Sequence, residues 1–137
     1  MGSPPALKLL LDTHVLLWSL LEPDRISQNV RSLMEAPDGE IWLSPITTWE
    51  CLLLAEKGRV ELIPDGRAWM RDALRITGAR EAPLGHEVAI LSRTIGLTHQ
   101  DPADRFLAAT AAVYDLTLVT ADERLLKGSG FSAIDCR

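Results

Sequence analysis

The sequence predicts an α/β domain of three layers, a central parallel β-sheet with helices on both faces. Three observations carry that prediction. Short apolar runs at residues 7–11, 40–44 and 116–120 alternate with segments of helical periodicity, the pattern of parallel strands joined by helical crossovers. A late segment carries alanine at 108, 109, 111 and 112, side chains small enough for a helix to lie close against a sheet. The 137 residues, 47 % hydrophobic and 24 % charged, suffice for one buried core without disulfides or structural metals, and no repeat or linker divides them.

The elements follow in order. Leu7 to Leu11 is an apolar run ending at Asp12, as expected of a strand buried on both faces. From Thr13 to the turn Glu22-Pro23-Asp24 the chain is apolar almost all round, which predicts a largely buried helix. Ser27 caps a second helix to about Met34, closed by Pro37-Asp38-Gly39. Glu40 to Ser44 is the next strand, and Pro45 opens a third helix through Glu56 that Gly58 stops. Asp65 to about Ile76 is a helix with Trp69, Met70, Ala73 and Leu74 at helical spacing and the solvated arginines Arg67, Arg71 and Arg75 on its other side. An extended piece near Ala79 to Pro83 and a short helix from Gly85 to Thr94 lead to the polar loop His99-Gln100-Asp101-Pro102. The alanine-rich helix, Ala103 to Tyr114, takes a central place. Leu116 to Thr120 is a strand, Asp122 to Lys127 a helical turn, and Ser132 to Asp135 an edge strand.

Composition removes several classes of function. Nineteen acidic against 14 basic residues give a formal charge of -5, the wrong sign for a protein that coats nucleic acid nonspecifically. Cys51 and Cys136 have neither CxxC spacing nor clustered histidines, so a zinc site or disulfide framework is not expected and a reduced, cytoplasmic protein is. No apolar run approaches the roughly 18 to 20 residues that span a bilayer. Residues 1–6 read as a short disordered lead rather than a signal peptide, leaving residues 7–137 as the single domain.

Ligands of open parallel sheets bind beyond the carboxyl ends of the strands, and the acids expected there are numerous. Asp12 ends the first strand, Asp122 lies just past the strand that ends at Thr120, Asp101 and Asp104 flank the start of the alanine-rich helix, and Glu50 lies within two turns of the start of the third helix. Each has a structural reading too: Asp12, Asp101 and Asp122 are good helix caps, Asp104 suits a first helical turn, and Glu50 suits a solvated face. Their convergence is what points to chemistry. Carboxylates sharing a cleft repel one another unless a hard divalent cation such as Mg²⁺ or Mn²⁺ takes them as oxygen ligands; two such ions can activate water and stabilise a leaving oxygen in phosphodiester hydrolysis. No nucleophilic Ser or Cys constellation and no Gly-rich phosphate loop is present, and Thr13 and His14 after Asp12 do not fit an aspartyl-phosphate enzyme.

Four stretches then line up with one family: Leu9-Leu-Leu-Asp12-Thr-His-Val-Leu-Leu-Trp18, Ser44-Pro-Ile-Thr-Thr-Trp-Glu50, His99-Gln-Asp101-Pro-Ala-Asp104-Arg-Phe-Leu-Ala-Ala-Thr-Ala111 and Leu118-Val-Thr120-Ala-Asp122. In order and spacing the chain resembles the PIN-domain ribonucleases, and among them the VapC-type toxins of type II toxin–antitoxin pairs, over nearly its whole length. The resemblance implies a PIN-like sandwich and a Mg²⁺- or Mn²⁺-dependent endoribonuclease. It also implies a homodimer held inactive by a cognate antitoxin. Matched residue by residue, Asp12, Glu50, Asp104 and Asp122 form the family's acidic quartet of catalytic and metal-binding residues. Asp101 belongs to the Asp-Pro-x-Asp-Arg pattern and stays open between ligand and helix cap. Thr13 and Thr120 stand beside the acids as supporting hydroxyls or as caps. His14 stands where many PIN domains carry asparagine and reads as a neutral hydrogen-bonding group. Arg105, Arg124 and Lys127 are the candidates to hold the RNA backbone, His99 is a further substrate-contact candidate, and His86 is surface.

A second reading keeps the fold as a non-catalytic interaction module, in which Trp18, Trp42, Trp49 and Trp69 serve as core or, less often, as interface anchors. Four converging acids argue against it, because association alone does not need them. Without the quartet the chain holds 15 acids against 14 bases, so the acidity belongs mostly to the proposed site and does not exclude RNA.

Overall fold

Successive residues of a strand point to opposite faces of a sheet, and in β1 (Lys8–Leu11) this alternation divides the core in two. In the computed structural model, which describes residues 7–137, Leu9 and Leu11 pack on one side and Leu10 on the other, all buried. The lead expected over residues 1–6 lies outside the described residues. β1 is the central strand, between β2 (Glu40–Leu43) and β4 (Thr117–Thr120), with β3 (Arg80–Glu81) beyond β2 and β5 (Ser132–Asp135) beyond β4. Every pairing is parallel, and the spatial order is 3-2-1-4-5. The register follows the division of the core: Leu10 stands beside Trp42 and Leu118, which share its side, whereas Leu11 stands beside Val119, which shares the other.

The helices are assigned by the same alternation. On the side of Leu9 and Leu11 lie α1 (Thr13–Leu21) through Val15, Leu16 and Leu17, α2 (Gln28–Met34) through Val30, α3 (Pro45–Glu56) through Cys51, and α4 (Gly66–Thr77) through Met70 and Ala73. On the side of Leu10 lie α5 (His86–Ser92), α6 (Pro102–Val113) and α7 (Glu123–Leu126), contributing Leu91, Leu107, Ala108, Ala111 and Leu125. This is the expected three-layer α/β arrangement. Six of the seven described helices begin with a side chain that accepts a backbone N–H, namely Asp12, Ser27, Ser44, Asp65, Asp101 and Asp122. Gly78, at φ 61°, closes α4 in the left-handed conformation that glycine adopts freely.

Departures from expectation are local. The extended piece near 79–83 pairs only over Arg80 and Glu81: Ala82 donates one more bond to Leu43, and Pro83 then has no N–H to continue. Of the tryptophans, Trp18, Trp42 and Trp69 are half-buried against the two clusters, but Trp49 is 56 % exposed and belongs to the surface of α3. Both cysteines are free and buried, and burial pushes the Cys51 thiol up to about 12. Among the described residues no helix is long and apolar enough to cross a membrane.

The strand order creates a crevice. From β1 the chain moves outward to β2 and β3, and from β4 it moves outward the opposite way to β5, so the connections diverge between the carboxyl ends of β1 and β4. Asp12 and Thr120 occupy those two ends. The alanines of α6 hold this part of the structure tight: residues 107–111 are at most 1 % exposed. Replacing Ala108 by leucine is expected to overpack that contact and cost about 1–3 kcal/mol, seen as a lower urea midpoint; an unchanged midpoint would show that the helix does not lie against the sheet as described.

Candidate active site

Each site acid is held by the local structure that precedes or follows its strand. Asp12 continues β1 by donating its N–H to Val119 (3.1 Å), then caps α1 by accepting from the His14 N–H at 2.8 Å through Oδ1. Its Oδ2 accepts from the Thr120 hydroxyl at 2.5 Å, and the same hydroxyl oxygen accepts from the Asp122 N–H at 3.0 Å. The ends of β1 and β4 are thereby tied through a carboxylate. Thr13 donates to Glu50 Oε1 at 2.6 Å, bringing α3 to the same place. Asp104, in the first turn of α6, accepts from or shares a proton with His99 Nε2 at 2.9 Å.

Together these side chains surround a cleft of about 420 Å³. Asp12, Glu50, Asp101, Asp104 and Asp122 all line it, as do Thr13, His14 and Arg124. The amino ends of α1 and α6 point into it, a fold-level feature that favours negative charge there. It does not neutralise that charge. Burial pushes the Asp12 carboxyl up from its ordinary value, against the hydrogen bonds from Thr120 and His14. Burial, then the charges of Asp12, Asp104 and Asp101, push Glu50 up despite its Thr13 bond, and burial with Asp101 and Asp122 does the same to Asp104 despite His99. Asp122 differs: burial works against its ionised form, but Arg124 outweighs it and holds the carboxyl below the ordinary range. That guanidinium bonds both Asp122 oxygens (3.3 and 3.1 Å) and reaches Asp104 at 3.5 Å.

Three elevated carboxyls on separate elements, with oxygen donors only, fit a hard divalent cation. Among the described residues no three His, Cys, Asp or Glu side chains close into a cage. Mg²⁺ does not need one, because it keeps several waters and takes only one or two carboxylates directly.

The other sequence candidates divide. Asp101 accepts from the Asp104 N–H at 3.1 Å, so the structure displays its capping role while leaving it exposed at the cleft. Arg124 stands at the mouth, 57 % exposed in its side chain. Lys127 closes the far end of α7 and does not line the cleft. Arg105 is a correction. It is 4 % exposed and cannot meet a phosphate. Its five N–H donors are spent on five carbonyls: Nε on Ser92 (2.8 Å), Nη1 on Leu97 (3.1 Å) and His99 (2.9 Å), and Nη2 on Arg93 (3.2 Å) and Ile95 (3.3 Å). The α5–α6 loop is wrapped around a guanidinium. Gly96 in that loop exchanges two backbone bonds with Ser129, so close that a side chain there would meet the Ser129 carbonyl oxygen at 2.7 Å. The loop in turn delivers His99 to Asp104. The Asp-Arg pair in the sequence marks both residues but does not show that adjacent charges on one helix turn in opposite directions.

Comparison with known proteins agrees with the fold. The family model for the PIN domain matches residues 9–130. Ribonuclease VapC22 of Mycobacterium tuberculosis is 34 % identical over 120 residues, 85 % of this chain and 88 % of its own. Among solved structures, VapBC2 from Rickettsia felis bound to a DNA fragment from its promoter superposes with a TM-score of 0.72 at 14 % identity, covering 94 % of this chain and 98 % of that one. DNA-bound VapBC from Salmonella typhimurium gives 0.70 at 20 % identity, with 96 % and 99 % covered. At those identities the structures speak for the fold.

Two outcomes are expected. Asp12→Asn keeps an acceptor for the His14 N–H and offers Thr120 a donor while removing a buried charge. A carboxyl raised in the folded state costs nothing while protonated and its full amount once ionised, so the melting temperature of the metal-free variant should exceed wild type by a few degrees at neutral pH. The gain should shrink as pH falls toward about 4; a difference independent of pH would contradict the burial cost. Arg105→Lys, with three donors in a different geometry, should lower stability by roughly 3 kcal/mol or more in chemical denaturation, and a neutral effect would disprove the carbonyl cage.

Proposed function

The chain belongs to the PIN-domain family, and from that premise we propose that it is the ribonuclease toxin of a toxin–antitoxin pair, hydrolysing phosphodiester bonds within RNA with Mg²⁺ or Mn²⁺ as cofactor. The observation that carries the reading is the gathering of Asp12, Glu50, Asp104 and Asp122, from four separate elements, around one cleft at the point where the connections from β1 and β4 diverge. The 34 % identity to a ribonuclease supports RNA as substrate, and toxin–antitoxin complexes among the structural neighbours support a cognate antitoxin as partner. The dimer implied by the family remains part of the proposal.

Asp12, Glu50 and Asp104 would hold the cation, with Asp122 completing the site. A divalent ion bound there supplies the positive charge that polarises the phosphate and lowers the pKa of the attacking water. The protein's own part is arrangement. Thr120 and the α1 amino end fix both oxygens of Asp12, Thr13 fixes one oxygen of Glu50, and His99 fixes one of Asp104, so the unshared lone pairs face the cleft without freedom to turn away. Arg124 reaches Asp122 and Asp104 from the surface and is the exposed cation placed to meet a phosphate. The interaction-module reading finds no use for carboxyls held at this electrostatic cost.

The deciding experiment maps RNA cleavage ends with Mg²⁺, Mn²⁺ or EDTA, for wild type and Asp104→Asn. Defined internal ends are expected only with metal and wild type, with the variant slower by at least about 100-fold. Cleavage that is indifferent to both would refute the assignment. In parallel, Mn²⁺ should raise the melting temperature of wild type and much less that of Asp104→Asn, and sedimentation at micromolar concentration should give the mass of two chains.

A further inference from the structure

The cleft is not lined by acids and their partners alone: His14, Trp18, Leu107 and Ala121 border it as well. His14 and Trp18 are one turn apart on α1, so they share a face, and their ring centroids lie 5.8 Å apart at 50°. Trp18 is anchored in the larger core cluster, and the Arg25 guanidinium lies over its ring, 4.5 Å from the centroid. His14 is exposed. Its backbone N–H is committed to Asp12, which fixes its Cα two residues from a site acid, while among the described residues its ring makes no hydrogen bond. The neutral hydrogen-bonding part expected for this side chain finds no partner among the described residues. What the ring does have is an aromatic backing and an open approach from the cleft.

Single-stranded RNA offers bases that can be unstacked and laid on aromatic or guanidinium planes, the histidine ring included. A phosphate at the acids puts a flanking base within one nucleotide's reach of α1's first turn. We propose that His14, backed by Trp18 and Arg25, forms a nucleobase-stacking subsite that orients the nucleotide next to the scissile phosphate. The inference rests on the ribonuclease reading and adds a determinant of substrate orientation to it. Stacking of this kind tolerates every base, since each has a π-face, and favours the larger purines. Trp18 acts through His14 and is a positioning residue.

Two replacements of the exposed His14 separate stacking from hydrogen bonding: His14→Phe keeps a flat ring and no polar atom, His14→Asn keeps polar atoms and no ring. The substrate is a short single-stranded RNA spanning a mapped cleavage site, with and without an abasic nucleotide at each position flanking the scissile bond. His14→Asn should raise KM about tenfold and His14→Phe should stay near wild type. One abasic position should penalise wild type and His14→Phe by a similar factor, yet leave His14→Asn nearly unaffected. The proposal falls if His14→Asn behaves as wild type while His14→Phe is impaired, or if the abasic penalty is equal in all three proteins. Failure of the ribonuclease reading shows separately, as intact RNA with wild type and metal. In that event fluorescence anisotropy of the uncleaved oligonucleotides with the same variants still decides whether the ring binds a base.

Discussion

Like charges withdrawn from water at one point of the sheet govern this structure. Five carboxylates border a cleft in which Arg124 pairs with Asp122 and Asp104, and three of them are driven toward the neutral form by burial first and then by neighbouring acids. Nearly every polar group nearby is arranged to keep them ionisable and in place. Hydroxyls of Thr13 and Thr120, the amino ends of α1 and α6 and the imidazole of His99 each offset part of that cost. None removes it, and the divalent cation of the proposed function would offset what is left. The same groups serve the fold, since Asp12 joins two strands and starts a helix. Capping and ligation are therefore compatible roles of one residue.

Arg105 is the inverse case, a buried positive charge that pairs with no carboxylate among the described residues. Five backbone carbonyls share that charge, and in doing so they define a loop with no regular structure of its own. Asp104 and Arg105 follow one another on α6, one turned to the cleft and one to the interior. A single helical turn thus presents the acid and shapes the loop whose histidine contacts that acid. Loss of Arg105 would reach the site through His99 without any contact between arginine and substrate.

Much of this was legible beforehand, for stateable reasons. Apolar runs bounded by Asp12, Ser44 and Thr120 marked β1, β2 and β4, and Ser27, Pro45, Asp65 and Asp101 marked helix starts within a residue. The quartet was legible because strand ends and helix starts in an open parallel sheet share one edge. What could not be read was direction at finer scale. Arg105 looked like a phosphate ligand because sequence neighbourhood to Asp104 says nothing about which way a side chain leaves the helix. That most of the tryptophans serve the core was legible, but not that Trp49 is the exposed one. The pairing of His14 with Trp18 beside the cleft was not read from the sequence and needed the backbone.

The sheet ends unevenly. On one side β3 offers two residues of backbone before Pro83, and on the other β5 is four residues long and is followed by Arg137, which pairs with Asp135 and Glu123. Neither border gives an incoming strand a long, flat, uncharged template, so extension of the sheet from molecule to molecule is disfavoured. A second copy meeting this molecule would find less to pair with along either sheet border than on the helical layers that cover both faces.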